Sequence, residues 1–83
     1  MIIEKINSVF EGDFYDKTPS HKNSLCRVAY VGFLANRGLK TREIVKETSY
    51  VRQEVFRRRR KHNDLYQFNP EYKRKFDSLF ESL

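Results

Sequence analysis

Tryptophan is absent from this chain, cysteine occurs once, and proline and glycine occur two and three times in 83 residues. Each shortage excludes something. The single Cys26 cannot close an internal disulfide, and one cysteine with two distant histidines, His21 and His62, does not compose a structural zinc site. The expected setting is a reducing, cytosolic compartment, with no metal and no cofactor. No Gly/Ser/Pro linker, repeat or low-complexity block interrupts the chain apart from one arginine run, so residues 1–83 are read as a single small domain. No apolar run approaches the roughly 20 residues that span a bilayer. The opening Met-Ile-Ile-Glu-Lys is too short in apolar run, and too acidic just after it, for a signal peptide. Membrane association is therefore not expected. The β-branched alternation that marks strands is also missing. So are a phosphate-binding glycine loop and any nucleophile motif, and neither histidine has a cysteine or carboxylate partner at a telling spacing. No catalysis is expected; His21 and His62 read as surface or packing residues, and Cys26 as a small buried hydrophobe.

What the chain does have is aromatic bulk and positive charge. Seven Phe and five Tyr supply most of the available core volume. The net charge of +6 is unevenly spread. Residues 1–16 carry one Lys against four acids, and residues 63–83 carry three bases against four acids. Residues 17–62 carry thirteen bases against three acids, so the whole excess lies in the middle. A disordered basic tail would place it at an end. A basic centre between mildly acidic ends points to a folded body with one positive face.

The apolar spacing is helical almost throughout. Ile2, Ile3, Ile6, Val9 and Phe10 share one face, and Gly12 suits the stop. Phe14 and Tyr15 read as a single turn over the core. The polar stretch DKTPSHKNS, with Pro19 in its middle, reads as a loop holding Lys17, His21 and Lys22. A second helix is expected from Asn23 or Ser24 to about Asn36, ending at Gly38, with Leu25, Val28, Ala29, Gly32 and Phe33 inward. Gly32 costs about 1 kcal/mol against Ala in a helix and suits a close helix crossing. Thr41 is the expected N-cap of a short helix from Arg42 to Glu47, with Ile44 and Val45 inward. Thr48-Ser49 breaks it, and the next helix is expected from near Tyr50 through Val51, Val55 and Phe56 into the arginines. Asn69 caps the last helix, Pro70 takes its first position and Glu71 favours its positive end. Tyr72, Phe76, Leu79, Phe80 and Leu83 form its stripe. The expected fold is all-α, a small five-helix domain.

Ile44, Val45, Tyr50 and Val55 have the spacing of a helix-turn-helix, in which two apolar positions about eleven apart meet while the second helix projects outward. Ser49 falls where a glycine commonly permits the left-handed turn. The second helix is the most basic part of the chain, with Arg57, Arg58, Arg59, Arg60 and Lys61 in a row. Five consecutive residues circle a helix, so the run cannot all face one partner. Arg57, Arg60 and Lys61 suit phosphate contacts, while Arg58 and Arg59 lie nearer the face of Val51, Val55 and His62 and must snorkel past it. Arg52 and Gln53, in the first turn, have the side chains that read guanine and adenine edges. Glu54 suits either a cytosine or a pairing with Arg58.

The order of parts resembles the C-terminal DNA-binding domain of the bacterial replication initiator DnaA. The resemblance runs from IIEKINSVFEGDF through DKTPSHKNSLCR and GLKTREIV to NPEYKRKFDSLFESL, nearly the full chain. It implies groove-binding geometry, with Lys17, His21, Lys22 and Arg27 near the backbone and minor groove. Lys40, Thr41 and Tyr50 flank the turn, and Arg52 and Gln53 enter the major groove. Where the family reads Asp-His-Ser/Thr-Thr-Val, this chain has Val51, Arg52, Gln53, Glu54 and Val55, so the family's origin box is not implied. The ATPase module is absent too, so origin melting and helicase loading do not carry over. The expectation is a small stand-alone regulator of replication or transcription, of phage or mobile-element type, or instead a separately expressed fragment of something longer, that binds double-stranded DNA and meets a protein partner of the replication machinery. Two rivals stand beside it: an all-α adaptor whose basic face binds an acidic protein, and an RNA-binding module. Oligomeric state and target site are not legible.

Overall fold

The second apolar segment is hydrophobic nearly all round, and a helix of that kind has to be surrounded. In the computed structural model, which describes residues 2–18 and 20–81, that helix is the centre of the molecule. Five helices are present and, among the described residues, no strand: α1 (Ile2–Phe10), α2 (His21–Asn36), α3 (Thr41–Thr48), α4 (Arg52–Phe68) and α5 (Pro70–Glu81). The all-α, five-helix expectation holds. α2 packs against α1, α3 and α4, and α5 closes the far side against α1 and α4. One continuous core results, with Ile6, Phe10, Cys26, Val31, Ile44, Val55 and Leu79 fully buried within it. Cys26 is thus the buried hydrophobe expected. Pro19 and Leu83 lie outside the described residues.

Several boundaries differ from the sequence reading, each for a local reason. α2 begins at His21 and not at Asn23 or Ser24, because Ser20 is the cap: its hydroxyl accepts from the Asn23 N–H at 3.1 Å. Asn23 is instead buried and ties down the preceding loop. Its carbonyl oxygen accepts from the Asp13 N–H at 2.8 Å and its amide donates to the Thr18 carbonyl at 3.3 Å. α3 is capped by Lys40 and not Thr41; the Glu43 carboxylate accepts from the Lys40 N–H at 2.9 Å. α4 starts at Arg52, and Val51, expected on its inner face, is the N-cap and 60% exposed. At the end of α1 the left-handed residue is Glu11, with φ 58°, rather than a glycine. Gly12 is required for a different reason: a Cβ there would lie 2.6 Å from the Lys22 carbonyl oxygen. Asn69 does cap α5 as expected, accepting from the Tyr72 N–H at 3.1 Å.

The α2–α4 crossing is set by Gly32. A Cβ on it would meet the His62 ring at 2.4 Å, so only glycine lets α4 come this close. His62 is buried among Tyr66, Tyr72 and Phe76, and its Nδ1 shares a hydrogen bond with the Tyr72 hydroxyl at 2.7 Å. Burial pushes the imidazole down to about 4 and the Tyr72 hydroxyl far up, so both are neutral at physiological pH.

A pH dependence of stability follows. The folded-state value for His62 lies below the ordinary 6.5, so between those two values the unfolded chain binds the extra proton. Stability is complete above about pH 6.5 and falls as pH drops toward 4, by about 3 kcal/mol in all. Urea denaturation across that range, with His62→Gln as the reference, checks it; equal pH profiles for the two proteins would contradict the assignment.

Candidate nucleic-acid interface

α3 and α4 are joined by three residues, Ser49–Val51, which makes them a helix-turn-helix in the structural sense. Ile44 and Val55 are buried completely on either side of the turn, and Val45 and Tyr50 are half-buried, as their spacing anticipated. Ser49 adopts the left-handed conformation, φ 62°, where a side chain carries some strain. Two bonds hold the turn around it. The Ser49 N–H donates to the Val45 carbonyl at 2.8 Å, and the Thr48 hydroxyl accepts from the Tyr50 N–H at 3.2 Å. The Thr48 hydroxyl in turn donates to the Ile44 carbonyl at 2.7 Å.

The arginine run is divided by the roll of α4. Val55 and His62, seven residues apart, fix the inner face. At about 100° per residue, Gln53, Arg57 and Arg60 then fall on the outer face with Lys61 beside them, and all four are exposed. Arg58 and Arg59 fall at the margins of the inner face and are half-buried. Arg58 donates to the Glu54 carboxylate at 2.7 Å and its guanidinium lies over the Tyr50 ring at 4.4 Å. Arg59 reaches back eighteen residues to donate to the Thr41 hydroxyl at 3.0 Å. These two arginines are internal struts of the helix-turn-helix. Among the described residues, no carboxylate pairs with Arg57, Arg60 or Lys61.

The other anticipated residues separate into two groups. Lys17, Arg27 and Tyr50 line one cleft of about 480 Å³ with Phe14, Tyr15 and Arg58, so this part of the loop does adjoin the start of α4. Arg27 is anchored there by donating to the Asp16 carbonyl. Hydrogen bonds from Thr18 hold the Asp16 carboxyl below its ordinary range, and burial pushes the Tyr50 hydroxyl up. His21 and Lys22 are elsewhere. They sit on the first turn of α2, not in a loop, and line a different depression with Glu11, Asn69 and Glu71. Lys22 is paired with Glu11 at 3.4 Å. Lys40 is exposed at the head of α3; Thr41 is occupied by Arg59. Arg52 lies against the first turns of α3, beside Thr41, Arg42 and Val45, with its guanidinium 5.4 Å from the centre of the Phe56 ring.

Phe56 lies within α4, as expected, but the sequence reading does not count it among the contact residues. It is 47% exposed, at the side of the helix, beside Arg57, Arg59, Arg60 and Asn63. The signal was available, since the position after a buried Val55 lies about 100° away from the core. The described residues include no group of His, Cys, Asp or Glu able to hold a metal ion, and no helix long and apolar enough to cross a membrane.

No protein family, curated protein or solved structure matches this chain.

The division of the arginines is directly measurable. Arg59→Ala removes a half-buried strut between α4 and α3 and is expected to lower stability by about 1 kcal/mol. Arg60→Ala, one residue on, is expected to fall within about 0.5 kcal/mol of the wild type. Chemical denaturation of the two variants decides; equal losses would mean that α4 is rolled differently.

Proposed function

We propose that this protein binds double-stranded DNA, with the N-terminal half of α4 in the major groove. One observation carries the reading: Arg57, Arg60 and Lys61 are exposed together on the outer face beside Gln53, and among the described residues no carboxylate forms an ion pair with them. Cations held without partners on a rigid helix suit a polyanion, because each phosphate contact releases condensed counterions and requires no internal ion pair to be broken. The acidic residue that follows on this face, Asp64, lies past the basic stretch, which suits a helix leaving the groove at that point. Lys17 and Arg27, across the cleft from Arg58, extend the positive surface toward the phosphates flanking the groove.

Within this reading, the first turn of α4 reads bases and the later turns grip backbone. Gln53 is the base-reading residue that faces outward. Arg52 is held over Phe56 and beside α3, so it reaches the groove from the side of the turn. The likeness in order of parts to the DnaA C-terminal domain supports the same docking. A role as a small cytosolic regulator of replication or transcription, carried by a phage or mobile element, follows from that likeness alone.

Six cations contribute in this arrangement: Lys17, Arg27, Arg52, Arg57, Arg60 and Lys61. Log affinity for duplex DNA is then expected to fall against log salt with a slope of about −5. Arg57→Ala is expected to make that slope shallower by about one unit while leaving sequence preference intact, and Gln53→Ala to flatten preference at one base pair. Fluorescence anisotropy over a salt series measures both. A flat titration, or stronger binding to single-stranded RNA, overturns the proposal.

A further inference from the structure

Phe56 lies outside the core, with only cationic and polar side chains around it. An aromatic ring 47% exposed at the side of a helix forgoes much of the burial that a phenylalanine ordinarily gains. Its surroundings are also unlike those of a protein-docking patch. The open depression around it is lined by Arg57, Arg59, Arg60 and Asn63, and the Arg52 guanidinium stands over its face. An apolar spot enclosed by cations has a natural complement: an apolar spot enclosed by phosphates and hydrogen-bond acceptors. In the major groove of a duplex that spot is the C5-methyl group of thymine, which phenylalanine is able to contact.

The position agrees with this. Phe56 is the fifth residue of α4, three beyond Gln53 and one before Arg57. It therefore lies between the residue placed at base edges and the first residue placed at the backbone. The Arg52 guanidinium at 5.4 Å restrains the ring, which still stays 47% exposed. Gln53, with an adenine-matching amide, stands one turn earlier on the same side, so an A·T-containing step would engage both side chains.

We infer that Phe56 is a specificity-determining residue that reads a thymine methyl group in the major groove. This rests on the duplex-binding reading above and adds to it a base preference from a residue that makes no hydrogen bond.

Thymine and uracil differ in that methyl group alone, which gives a test on the unmodified protein. A duplex enriched from a random pool is taken as the probe, and each thymine is replaced in turn by deoxyuridine. Losing one buried methyl group corresponds to roughly a four-fold change in affinity. The expected result is a weakening of about that size at a single thymine for the wild type, and none at that position for Phe56→Ala. Phe56→Leu, which keeps an apolar contact, retains part of the discrimination. Duplex binding insensitive to every replacement, or a sensitivity that persists in Phe56→Ala, overturns the inference and leaves the duplex reading standing. Absence of duplex binding by the wild type overturns both.

Discussion

The contact between Gly32 and the ring of His62 is the constraint on which the rest depends. Because position 32 has no Cβ, α4 lies directly against α2, and the His62 ring fills the space that a side chain would take. The Tyr72 hydroxyl fixes the ring from the α5 side. With His62 and Val55 both pinned inward, α4 has no freedom to roll. Everything on its circumference is then determined. Arg58 and Arg59 must lie at the flanks, where they meet Glu54, Tyr50 and Thr41. Gln53, Arg57 and Arg60 must point away from the body, with Phe56 exposed at the side. A buried neutral histidine thereby decides which cations face solvent.

Much of this was legible in the residues. Period-3.6 spacing and the Asn69-Pro70 start gave five helices, and the eleven-residue interval from Ile44 to Val55 gave the helix-turn-helix. The even circling of five residues around a helix gave the inward lean of Arg58 and Arg59. What was not legible came from contacts between segments distant in sequence. Asn23 looks like a cap, but the loop before it needs a buried amide, and Ser20 caps in its place. Thr41 looks like a cap, but Arg59 claims its hydroxyl. His21 and Lys22 looked like members of a basic loop; two or three more helical residues at the start of α2 carry them to the depression beside Glu11 and Glu71. Local preference is a weak guide wherever a tertiary partner competes for the same group.

The functional reading joins these levels. A marginally sized chain places most of its aromatic residues in or against one core and keeps two arginines as struts. It leaves the remaining cations of the run unpaired on a helix that cannot turn. Rigid presentation matters here, because a groove-binding helix gains little from contacts whose geometry has to be ordered on binding. On this account Phe56 belongs to the same surface and is kept there for a partner.

The most direct measurement is a backbone amide chemical-shift map of the protein as duplex DNA is titrated in. The account predicts that the largest changes fall on residues 50–61, with a second set near Lys17 and Arg27. The surface formed by His21, Lys22 and the start of α5 is predicted to stay still. Changes centred on that second surface, with α4 unperturbed, would contradict it.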